Sequence, residues 1–132
     1  MKTVNRVMIL GNVTRDAEYK DLPSGRKVAT FGLATNRTWK DSDGQVQSVA
    51  EYHNLVAWAE LAKFCAEHVR MGKPLYVEGY LLTRSWEADG HPKQYRTEVV
   101  VENVVLIGPK ADAEAPRLKA GDVPAEDAEA QA

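Results

Sequence analysis

The sequence predicts an all-β domain of five strands closed into a barrel, with one α-helix between the third and fourth strands and a C-terminal tail of different composition. Three observations predict it. Apolar side chains alternate with a period of two over most of the first 108 residues, the mark of strands with one buried face. A single stretch, from Ala59, switches to three- and four-residue spacing. Clusters of Gly, Pro, Asp and Ser punctuate the strands at hairpin intervals. One helix midway through a strand-rich chain of 132 residues is the plan of the oligonucleotide/oligosaccharide-binding (OB) barrel.

Residues 4–11 form a short apolar strand, and Gly11-Asn12 permits a bend before Val13 continues. Pro23-Ser24-Gly25 turns the chain between a short charged segment and a second strand over residues 28–36, whose Gly32 suits a barrel corner. Asp41-Ser42-Asp43-Gly44 reads as the turn of a hairpin rather than as a metal loop, since no later bidentate Glu completes one. In the third strand Tyr52, Asn54, Val56 and Trp58 share one face, with His53, Leu55 and Ala57 on the other.

The helix that follows carries Leu61, Phe64, Cys65, His68 and Val69 on one stripe, with Gly72 at the position of a left-handed C-cap and Pro74 barring continuation. The fourth strand, residues 75–86, sends Leu75, Val77, Gly79, Leu81 and Thr83 to the core and Tyr76, Glu78, Tyr80, Leu82, Arg84 and Trp86 to the other face. A turn at Asp89-Gly90-His91-Pro92 leads to the last strand, residues 95–107, ending at Gly108-Pro109. Beyond it Ala, Glu, Asp and Pro dominate, and such a segment buries too little apolar area to offset its ordering entropy. The domain reading is therefore a barrel over residues 1–110 and an acidic disordered tail over 111–132.

The formal charge of −2 averages two unlike parts. Residues 1–110 carry 15 Lys/Arg against 13 Asp/Glu, and residues 111–132 carry 2 against 6. So weak an excess on the barrel directs attention to local clustering and ring stacking instead of total charge. The lone Cys65 excludes an intrachain disulfide, and no apolar run is long enough for a membrane span, which together favour a reduced, cytoplasmic setting with no membrane partner.

Trp39, Tyr52, Trp58 and Trp86 fall on or beside adjacent strands, interleaved with Arg37, Lys40 and Arg84. Rings and cations so interleaved suit single-stranded nucleic acid, which offers unstacked bases and a charged backbone. Trp39 adjoins a polar loop and Trp86 lies beside Ser85 and Glu87, places where burial is difficult. Arg70 and Lys73 are further candidates for phosphate contact. A catalytic reading finds little: His53, His68 and His91 are scattered, a second Cys for zinc is missing, and no Gly-rich phosphate loop precedes the helix, so neither enzyme activity nor a cofactor is expected.

Taken in order, five runs are similar to the bacterial single-stranded DNA-binding proteins of the homotetrameric OB-fold type, over about residues 4–108. They are Arg6-Val7-Met8-Ile9-Leu10-Gly11-Asn12, Pro23-Ser24-Gly25, Leu33-Ala34-Thr35-Asn36-Arg37 before Trp39-Lys40-Asp41, Glu51-Tyr52-His53-Asn54 leading to Leu61-Ala62, and Tyr76-Val77-Glu78-Gly79 ahead of Thr83-Arg84-Ser85-Trp86. The resemblance implies base stacking by Trp39, Tyr52, Trp58 and Trp86, subunit contacts by His53 and Tyr76, and nucleoid-associated work in replication, recombination and repair. It also implies a binder without catalytic activity. Tyr52 stands where such proteins usually have Trp, and Trp58 where they have Phe; Asn54, Glu60, Met71, Leu82 and Ser85 occupy positions often basic. The acidic end lacks the apolar tip through which relatives dock replication and repair proteins. The rival expectation is an OB-fold interaction module of a primosome or mobile-element complex, with rings that mainly make protein contacts.

Overall fold

In the computed structural model, which describes residues 1–108 and the backbone of 117–119, strand β1 (Val7–Asp21) pairs along both of its edges. Its first half runs antiparallel to β4 (Pro74–Trp86) and its second half to β2 (Lys27–Lys40). The predicted first strand is thus too short. Residues 14–21, expected as a charged connection, remain strand because two irregularities, between Val13 and Arg15 and between Arg15 and Glu18, let β1 bend from one neighbour to the next. Strand β2 pairs with β3 (Val46–Trp58), β4 with β5 (Gln94–Leu106), and a short parallel contact, Leu55 to Val99 and Val56 to Val100, joins β3 to β5 and closes the barrel. Helix α1 (Ala59–His68) lies between β3 and β4, as the sequence predicts.

Inside the barrel are Ile9, Val13, Phe31, Leu33, Leu55, Leu75, Val77, Val101 and Val104, closed at one end by Leu61, Cys65 and Val69 from the helix stripe. Each large side chain so buried contributes roughly 1.5–3 kcal/mol. Phe64 and His68, also on that stripe, are only half-buried and pack on each other with ring centroids 4.6 Å apart. Burial pushes the Cys65 thiol up to about 12, leaving it a small core hydrophobe.

Three expectations need correction. Gly72 does not cap the helix; the cap is Val69, in extended conformation, and Gly72 (φ +86°) instead turns the chain towards β4, its N–H donating to the Val13 carbonyl. Leu81 and Thr83 are not core: past Gly79, β4 and β5 leave the barrel as a two-stranded ribbon, and Leu81 is half-exposed. Alternation identified their face, but among the described residues no layer packs on it there. Finally, residues 117–119 of the expected tail form a strand, β6 (Arg117–Lys119), antiparallel to β5 at residues 103–105. The remainder of that expectation lies outside the described residues.

The second hairpin turn is built as the sequence implies. Gly44 takes φ +79°, and the Asp41 carboxylate accepts hydrogen bonds from the backbone N–H groups of Gln45 and Asp43 and from the Gln47 side chain. The Gln45 N–H foremost holds the Asp41 carboxyl below its ordinary value. A depressed folded pKa means that these bonds stabilise the turn above the unfolded pKa and are lost as pH falls through the folded one. In an NMR titration the Gln45 and Asp43 amide signals should therefore shift together, with a midpoint below that of a free aspartate. A midpoint at the ordinary value would mean that the bonds do not persist in solution.

Candidate nucleic-acid interface

Strand register decides which rings can work together. On β3, Tyr52, Val56 and Trp58 face outwards opposite Ala34, Thr30 and Val28 of β2, and on β4, Tyr80, Leu82, Arg84 and Trp86 lie opposite Val100, Glu98, Arg96 and Gln94 of β5. Val28, Val56 and Val100 make a small buried cluster on this outer surface, flanked by Leu22, Trp58 and Tyr80. Tyr52, Trp58 and Trp86 therefore all take outward-facing positions, and Trp58 packs on the apolar cluster. Tyr52 is 72% exposed and Trp86 45%, so their ring faces are available. Trp58 is half-buried at the wall of a hollow of about 270 Å³ whose other sides include Lys20, Thr30, Leu82 and Arg84. Its place is fixed by Ala59, which takes φ +57° and turns strand into helix within one residue.

Trp39 is set apart. It pairs with Gln47 and shares its face with Arg37 and Thr35, the face that deeper in the barrel points inwards, so it lies on the reverse of the β2–β3 hairpin from Tyr52. The Arg37 guanidinium lies over its ring, 4.8 Å from the centroid. The same reverse face holds His53, partly buried, with Nε2 2.9 Å from the Thr35 hydroxyl. Tyr76 sits on the outer face of β4 opposite Leu10 of β1, next to the Met8 and Leu10 side chains, which are 65% and 61% exposed.

The candidate cations are equally dispersed. Lys40 shares the Tyr52 face at the hairpin end. Arg84 is on the groove, its Nε donating to the Glu98 carboxylate at 2.7 Å. Arg70 donates to the carbonyls of Ala66 and Val69 and so closes the end of the helix, while Lys73 is in the turn against Val13; neither lines the hollow. Sequence reasoning missed Lys20, Arg26, whose guanidinium lies 4.1 Å from the Trp58 ring centroid, and Arg96, paired across from Arg84. The pairing of Arg96 with Arg84 follows from a seven-residue connection, 87–93, centred on Gly90, whereas a two-residue Asp89-Gly90 turn would have put Tyr95 there. The other two come from β1 and the first turn, whose course depends on bulges. Among the described residues no cluster of three or more His, Cys, Asp or Glu side chains could hold a metal ion, and no helix is long and apolar enough to cross a membrane.

A closed five-stranded barrel with one helix between β3 and β4 is an OB fold, and this one carries rings on its outer face. Residues 4–107 match the single-strand binding protein family, and the chain belongs to that family. It is 39% identical over 108 residues to single-stranded DNA-binding protein 1 of Chlorobaculum tepidum, covering 81% of this chain and 67% of that protein. Among solved structures it resembles the Plasmodium falciparum SSB in complex with ssDNA, with a TM-score of 0.75, 29% identity, and 82% of this chain and 98% of that one covered. It also resembles a deletion mutant of the Thermus aquaticus single-stranded DNA binding protein, with a TM-score of 0.72 and 25% identity, covering 87% of this chain but 54% of the other.

Proposed function

We propose that this chain binds single-stranded DNA without reading its sequence, as a homotetramer, and sheathes exposed strands during replication, recombination and repair. Its action is binding, not catalysis, in the compartment that holds the DNA. The observation that carries the reading is the register that sets Tyr52, Trp58 and Trp86 at outward-facing positions of β3 and β4, with Trp58 packed on the Val28, Val56 and Val100 cluster. Every base has a π-face, so outward-facing rings accept any sequence, and each stacked base adds roughly 1–3 kcal/mol. Arg84 and Lys40 supply charge along the same face, and Arg37 with Trp39 extends the path round the β2–β3 hairpin. Residues 1–110 are the binding unit, and residues 111–132 its acidic appendage. The exposed Met8 and Leu10 beside Tyr76 support self-association through the β1–β4 surface, with His53 at a second contact.

Three Trp residues make the test direct. Adding poly(dT) should quench intrinsic fluorescence to a saturable plateau, while duplex DNA at equal phosphate should quench it weakly, and light scattering of the free protein should give four times the chain mass. Unchanged fluorescence would return the rings to protein contacts and favour the interaction-module reading.

A further inference from the structure

Arg84 and Arg96 stand directly opposite each other on the groove face of the β4–β5 ribbon, an arrangement that like charges ordinarily destabilise. Between them is a carboxylate that the groove would not be expected to contain. The Glu98 side chain is only 8% exposed, and it takes the Arg84 Nε at 2.7 Å on one oxygen and the Arg96 Nε at 3.7 Å on the other. The two arginine side chains are 56% and 43% exposed. In both it is the Nε that approaches Glu98, as a hydrogen bond from Arg84 and as a longer ion pair from Arg96, while both side chains stay about half-exposed.

We propose that Arg96 is a second phosphate-binding residue of the groove, and that Glu98 is a positioning residue that aligns Arg84 and Arg96 as a pair while cancelling part of their charge. The inference rests on the single-strand-binding reading. A carboxylate shared by two guanidiniums lowers their conformational freedom and presents two planar forks side by side, the geometry suited to successive phosphate groups. It also holds one negative charge beside the DNA. The site would therefore bind with a shallower salt dependence than two free arginines and would tolerate ionic strength better.

The test is the dissociation constant for one dT oligonucleotide over a range of salt, for the wild type, Arg96→Ala, Arg96→Lys and Glu98→Gln, with a thermal melt of each. Arg96→Ala should bind several-fold more weakly at low salt, with a logarithmic salt slope smaller by about 0.7, the contribution of one phosphate contact on a single strand. Arg96→Lys should restore the slope. Glu98→Gln keeps the shape and removes the charge. It should melt lower, because the facing arginines lose their counter-charge, yet bind several-fold more tightly at low salt, with a steeper slope and with the gain fading as salt rises. A merely structural Glu98 would lower the melt and leave the slope alone, and that result overturns the positioning role. An unmoved slope in Arg96→Ala overturns the phosphate role, and since Arg96 is exposed that variant should fold even if Glu98→Gln does not. Failure of the wild type itself to bind would sink the single-strand reading and is distinct from either.

Discussion

Replacing Tyr52 and Trp86 together by Ala should weaken binding of single-stranded DNA by about 2–6 kcal/mol, from ~30-fold to four orders of magnitude, at one and the same salt. The two rings lie on the groove side of the barrel, one on β3 and one at the end of β4, 72% and 45% exposed. Because neither belongs to the core clusters, their loss should leave the melting temperature nearly unchanged, so that a fall in affinity reports lost stacking. Trp58 is a poorer first choice, since it packs on Val28, Val56 and Val100 and its truncation would mix stacking with stability. Trp39 makes the useful contrast. On the reverse of the hairpin it should matter only for strands long enough to pass round β2–β3, so Trp39→Ala should bind a short oligonucleotide like wild type and a long one more weakly. Wild-type affinity in the double variant would remove the groove assignment, and an equal loss for Trp39→Ala at every length would mean that the path does not follow the face defined by register.

How far the sequence discloses this site follows from what period-two alternation can report. It separates the faces of a strand, and so it put Tyr52, Val56 and Trp58 together and Leu55 and Ala57 opposite them, as found. It does not report whether a second layer covers a face. Leu81 and Thr83 continue the pattern of Leu75 and Val77 correctly, but they do so on a ribbon that has left the barrel. Nor does it relate rings on different strands: Trp39 and Tyr52 flank one hairpin turn, and only the Trp39–Gln47 and Tyr52–Ala34 pairings set them on opposite sides. Cross-strand partners are the least legible of all. Arg84 read as a free cation, and its engagement with Glu98 exists only because one strand lies beside another at one register. The helix termination failed for a different reason: Gly72 does take the left-handed conformation expected of it, but the helix had already ended at His68.

Gly79→Ala should cost about 3 kcal/mol or more of stability, lowering the melting temperature by roughly 10 °C or more for a domain of this size. Gly79 is on the inward face of β4 at the place where the pairing with β5 slips, Glu78 opposing Asn103 and Gly79 opposing Val101. The slip brings the two backbones together there. A β-carbon on residue 79 would fall on the Val100 carbonyl oxygen, with the carbonyl carbon at 2.9 Å and the Val101 Cα at 3.2 Å. These are backbone atoms of a fully buried strand segment, so no rotamer change can relieve the clash; β5 itself must move. Moving it strains the closure of the barrel, because Val100 is also one of the two residues that pair β5 with β3. Gly25→Ala provides the comparison. Gly25 has φ +88° and open space around its missing side chain, so that substitution should cost only the 1–2 kcal/mol or so of a left-handed alanine. If melts of the two variants fell equally, the close approach at Gly79 would carry no special cost. A wild-type melt for Gly79→Ala would mean that the β4 slip is absent from the folded protein.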